Sequence, residues 1–91
     1  ANPMQIPGVG TGGIGRFEKG KHQLQKWPFF DNEVFYVIAG KGRITVAVMP
    51  FDKPQVYDVG VGDFFTIKKG SEVSMEALSD SPFETFFFAP D

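Results

Sequence analysis

Short runs of β-branched and aromatic residues recur along the chain, each bounded by Gly, Pro, Asn, Asp or Ser, and none carries the spacing of an amphipathic helix. Ile14 to Glu18 and His22 to Trp27 flank Lys19-Gly20-Lys21; Val34 to Ala39 and Arg43 to Met49 flank Gly40-Lys41-Gly42. Both pairs read as hairpins, because the glycines supply the positive φ that tight turns need. Pro50 to Pro54 reads as a loop, Val56 to Val59 as a short strand, and Gly60 to Asp63 as a turn into a strand over Phe64 to Lys68. After the turn Lys69-Gly70-Ser71, the residues Val73, Met75 and Ala77 alternate with Glu72, Ser74 and Glu76, the period of a strand with one wet face. Ser79 to Pro82 turns the chain into a last strand, Phe83 to Phe88.

The pattern therefore predicts an all-β domain, a small jelly-roll barrel or sandwich of about eight antiparallel strands. Residues 1–13, with two Pro and four Gly and no period, read as a flexible arm or linker, leaving 14–91 as the folded domain.

Two strands depart from simple alternation. Val34, Tyr36 and Ile38 make one face of their strand apolar, and Phe35, Val37 and Ala39 make the other so. In the last strand Phe83 and Phe87 share a face with Thr85, while Phe86 and Phe88 lie opposite. Only one face of a strand reaches the interior of so small a barrel, so the second set needs a cover. The candidates are a second copy of the chain, the arm Asn2 to Ile6, or a neighbouring sheet.

Composition favours the second copy. The chain has 91 residues, 42% hydrophobic, with 11 Phe and no Cys. One core is the expectation, and a domain of this size often takes added stability from a disulfide, a metal or a partner subunit. Disulfides are excluded, and the lack of Cys leans towards a reducing compartment. A net charge of -2 with dispersed Lys and Arg gives no basic stripe for nucleic acid. No apolar run is long enough for a membrane span, and no signal peptide is expected.

Candidate chemistry is sparse. His22 is the single His, suited to act as a base if Asp31 or Glu33 orients it, though a place at the surface or barrel mouth is the favoured reading. Asp31 and Glu33 are spaced to share a face as an acid and base pair, but Asp31-Asn32 also reads as the polar turn before a strand. Neither Gly40 and Gly42 nor the run Gly8 to Gly13 is followed by a helix, so neither is a phosphate loop.

The run Glu33 to Gly42 resembles the second half of the first motif of the cupins, in which six residues separate a Glu from the Gly of a turn, as they separate Glu33 from Gly40. Gly62-Asp63, the strand Phe64 to Ile67 and Lys68-Lys69-Gly70 resemble the second motif, with Lys68 in place of its Pro. The likeness covers about Gly12 to Ala89. It implies a metal site whose two alternating His fall at Trp27 and Phe29, whose third falls at Val73, and whose carboxylate is Glu33. Three of the four cannot ligate, and one carboxylate does not hold a transition metal, so neither a metal nor another cofactor is expected. Metal-free epimerases of the group pair a His with an Asp and a Tyr; His22, Tyr36 and Tyr57 are loose substitutes whose spacing matches no such motif.

Among cupins without ligands, Val34-Phe35-Tyr36-Val37, Gly62-Asp63-Phe64-Phe65, Gly70-Ser71 and the closing Leu78 to Phe88 resemble the C-terminal dimerisation domains of the centromere protein C family. That resemblance implies a homodimer without enzymatic turnover, in the nucleus, partnered by itself and by other centromere proteins. The expected interface is Phe35, Val37, Phe86 and Phe88. The alternative is a stand-alone, cytoplasmic cupin that binds or transforms a small molecule, its mouth formed by Trp27, Phe29, Tyr36, Val73 and Met75 with Glu33 or His22 as the polar handle.

Overall fold

The computed structural model describes residues 3–20, 27–28, 31–48 and 53–91, and for Trp27, Pro28 and Val48 the backbone alone. Nine strands are present among these residues: β1 (Met4–Ile6), β2 (Gly10–Phe17), β3 (Trp27–Pro28), β4 (Glu33–Ala39), β5 (Lys41–Val48), β6 (Gln55–Gly60), β7 (Phe64–Ile67), β8 (Ser71–Ala77) and β9 (Phe83–Pro90). They form two antiparallel sheets, one ordered β1-β2-β9-β4-β7 and the other β3-β8-β5-β6. Consecutive strands pair directly only in β1–β2 and β5–β6; every other connection crosses from one sheet to the other, as in a jelly roll. The described residues contain no helix, and so none long and apolar enough to cross a membrane.

The alternation of β8 sets the core. Val73, Met75 and Ala77 are fully buried, and they meet Ile44 of β5, Phe35 and Val37 of β4, Ile67 of β7 and Phe83 of β9 between the sheets. Phe35 stacks on Phe65 with ring centroids 4.9 Å apart and tilts against Phe87 at 6.3 Å, an aromatic layer that fills the interior without a polar atom. Exposed ion pairs stand directly across the ladders, Arg43 opposite Asp58 and Arg16 opposite Glu84. Exposed pairs add little stability, and their main effect is to favour this register over its neighbours.

Three expectations differ from what is found. The Gly40-Lys41-Gly42 segment is not a hairpin: β4 and β5 lie in different sheets, and the chain bends from one to the other at Gly40, whose φ is +74°. A hairpin and a sheet crossing demand the same residue, which is why sequence alone favoured the commoner one. Residues 1–13, expected as an arm, contain β1 and the start of β2, paired Met4 with Gly12 and Ile6 with Gly10. Gly10, Gly12 and Gly13 are there because β2 runs close against β9, where a Cβ on Gly10 would meet the Ala89 carbonyl and the Phe88 ring. β1 extends the sheet sideways and does not lie over its outer face. The expected turn at Lys19-Gly20-Lys21, the strand His22 to Trp27 and the loop Pro50 to Pro54 lie wholly or partly outside the described residues.

The turns Gly60 to Asp63 and Lys68 to Ser71 form as expected. In the first, the Asp63 backbone N–H donates to the Gly60 carbonyl at 3.0 Å, while the Gly60 N–H donates to Asp63 Oδ2 at 2.8 Å. In the second, the Ser71 N–H donates to the Lys68 carbonyl at 3.1 Å, with Gly70 at φ +90°.

Candidate functional site

The position at which the cupin resemblance implies a metal sits between β3, β4 and β8. Trp27 stands opposite Val73 across the β3–β8 ladder, and Glu33 opens β4 opposite Ile67. Val73 is fully buried within the core. Phe29, His22 and the Trp27 side chain lie outside the described residues, among which no three His, Cys, Asp or Glu side chains come together as metal donors. The described side chains at this position, the carboxylate Glu33 and the apolar Val73, are not a donor set that fits a transition metal.

Glu33 is half-buried between two spaces. One, of about 190 Å³, is lined by Gly15, Phe17, Phe35, Met75, Thr85 and Phe87. The other, of about 390 Å³, is more polar and is lined also by Asp31, Gln5 and Thr11. Burial, and secondarily the negative charge of Asp31, hold the Glu33 carboxyl above its ordinary value of 4.5. Asp31 and Glu33 therefore do share a space, while Asn32 ties this segment to the turn after β7, its Oδ1 accepting from the Lys69 N–H at 2.8 Å.

Because folded Glu33 keeps its proton to higher pH than the unfolded chain does, its contribution favours folding below pH 4.5 and is lost as pH rises through the raised pKa. Glu33→Gln is accordingly expected to melt above the parent at pH 7, with the two curves converging as the buffer is taken down towards pH 4. A parent that is the more stable at pH 7 would show that ionised Glu33 makes a favourable contact.

The other candidate site is the outer face of the five-stranded sheet. Register fixes which residues share it: Ile14 of β2 faces Phe86 of β9, Phe86 faces Tyr36 of β4, and Tyr36 faces Phe64 of β7. The next row brings Phe88 against Val34. Ile14, Phe86, Tyr36 and Phe64 are 38%, 47%, 44% and 65% exposed, a continuous apolar row across four strands. No described residue covers it.

This corrects half of the expected interface. Phe86 and Phe88 are on the outer face, but Phe35 and Val37, 6% and 0% exposed, point into the core. Both parities of β4 are apolar, so alternation could not choose between them, and the cross-strand partners decide. Tyr36, expected at the barrel mouth, is likewise on the outer face, whereas Tyr57 lies on β6 of the other sheet, so the two do not form one site. Met75 is interior.

No protein-family model matches the sequence, and no curated protein does. Solved structures do match. The capsular polysaccharide assembling protein CapF from Staphylococcus aureus superposes with TM-score 0.81 and 23% identity, over 97% of this chain and 25% of that one. The Schizosaccharomyces pombe Cnp3 cupin domain gives TM-score 0.79 and 14% identity over 99% of this chain and 59% of that one. Drosophila melanogaster CENP-C bound to CAL1 gives TM-score 0.76 and 15% identity over 99% and 80%. The chain thus spans a quarter of CapF and about three fifths of the Cnp3 chain. At these identities what the superpositions share is the fold, and this chain has the cupin fold, in a form that resembles the CENP-C cupin.

Proposed function

We propose that this domain is a homodimerisation and protein-interaction module that acts without turnover, two copies packing through the outer face of the five-stranded sheet. The observation that carries this is the exposed row Ile14, Phe86, Tyr36 and Phe64. Four strands at about 4.8 Å spacing put its ends roughly 14 Å apart. Aromatic residues at the centre of such a patch are what protein interfaces concentrate, and a face that meets its own copy across a two-fold axis is self-complementary. The likeness to the CENP-C and Cnp3 cupin domains supports the reading, and under it the dimer would join two copies of a longer centromeric chain in the nucleus. Joining two weak binders raises the effective concentration of each, so other centromere proteins would be held by avidity, as partners of the kind CAL1 is to Drosophila CENP-C.

Sedimentation equilibrium tests it. The parent is expected to sediment as two protomers at micromolar concentration. Phe86→Glu is expected to weaken association at least about thirtyfold, the loss of a hot-spot aromatic, while its far-UV circular dichroism stays unchanged. A parent that is monomeric at about 100 µM, or a Phe86→Glu dimer as tight as the parent, would overturn the proposal.

A further inference from the structure

β6 and β7 are the outermost strands of their sheets on the same side of the barrel, and they are not hydrogen-bonded to each other. β6 ends and β7 begins at the turn Gly60 to Asp63, each in its own sheet, so the two sheets part between them. The gap is a cleft of about 480 Å³, within the range of sites that hold small organic molecules. Its floor is apolar, built of Ile44, Val46 and Phe65, and it belongs neither to the former metal position nor to the outer row proposed for dimerisation, with which it shares only Phe64.

The two ends of the cleft differ in charge. At the turn end stand Asp58 and Asp63, and both carboxylates are already committed. Asp58 accepts from Arg43 Nε at 2.7 Å and from Nη2 at 3.0 Å, and Asp63 accepts from the Gly60 N–H. At the far end stand Lys53 and Lys68, neither of which has an ion-pair partner among the described residues. Beside them is Ser71, buried, its Oγ without a hydrogen-bond partner among the described residues. A hydroxyl left in that condition costs stability, and a χ1 rotation from one staggered well to the next re-aims it.

We propose that this cleft binds a small amphipathic carboxylate, its acyl or aromatic body along Ile44, Val46 and Phe65 and its carboxylate at the Lys53, Lys68 and Ser71 end. A neutral molecule leaves the two ammonium groups unanswered. A cation meets them as like charge and finds Asp58 and Asp63 already engaged.

The probe is decanoate, titrated into the full chain below its micelle range and followed by amide chemical shifts, with decanol and decyltrimethylammonium as neutral and cationic counterparts. Decanoate is expected to saturate with shifts centred on Ile44, Val46, Ile67 and Ser71, and to bind about tenfold tighter than either counterpart. Lys53→Gln with Lys68→Gln is expected to remove that preference. Ser71→Ala, which deletes an unpaired buried hydroxyl and so keeps the fold, is expected to weaken decanoate about fivefold, the size of one lost hydrogen bond. Decanol or the cation binding as tightly, decanoate unaffected by both sets of substitutions, shifts centred elsewhere, or no saturation would each overturn the assignment. Phe86→Glu is expected to leave decanoate affinity unchanged, which keeps this test separate from that of the dimer.

Discussion

Replacement of Gly40 by alanine is expected to cost about 3 kcal/mol of folding free energy, from the left-handed backbone penalty of roughly 1–2 kcal/mol and a similar or larger one for overpacking. Gly40 sits at φ +74°, and a Cβ there would be driven into the Pro82 carbonyl at the head of β9. The residue has no room to relax, because it is the point at which β4 leaves one sheet and β5 begins in the other, with no intervening loop. Urea denaturation of Gly40→Ala beside Gly62→Ala separates the two causes. Gly62 also has a positive φ, +92°, but a Cβ there meets nothing. It should lose only the backbone share, about 1–2 kcal/mol. Equal losses for the two variants would mean that Pro82 yields.

The second large effect is at Phe83, fully buried, with its ring against Gly42 and 6.0 Å from that of Phe17. Phe83→Ala is expected to cost about 3–5 kcal/mol, out of a total that for a chain of this size is roughly 5–14 kcal/mol. The variant should be substantially unfolded by moderate denaturant. Phe83 and Gly42 are two halves of one fit: a Cβ on Gly42 would overlap the ring along one edge. Gly42→Ala is therefore expected to be strongly destabilising in the parent and less so in Phe83→Leu. The coupling should be about 1–2 kcal/mol in a double-mutant cycle, and additivity would show that the strain at Gly42 lies elsewhere.

Much of this architecture could be read along the chain. The alternation of Val73, Met75 and Ala77, the turns at Gly62 and Gly70, and the absence of helical spacing each specify a local conformation that the fold uses unchanged. What could not be read depends on which strand lies beside which. Phe86 and Phe88 could be assigned to the outer face, but their neighbours on β4 could not be chosen until Tyr36 was seen opposite Phe86. Strand β1 and the start of β2 were hidden by the very glycines that let them pack closely, since Gly-rich sequence reads as linker whenever its partner is far away in the chain. The β6–β7 cleft has no local signature at all. It exists because two strands joined by a four-residue turn belong to different sheets.

The pairing of β2 with β9 also governs the order in which the molecule can be assembled. Gly10 lies beside Pro90 and Phe17 beside Phe83, so the ladder joins one end of the described chain to the other. β4 too completes its pairing only through β9. Until those last residues are present, β2 has no neighbour but the three residues of β1, and one side of β4 is an open edge. Closure of so long a loop comes late and slowly, on the millisecond to second scale typical of non-local β topologies. During that interval the apolar strands most exposed to faulty association are the ones that β9 eventually separates.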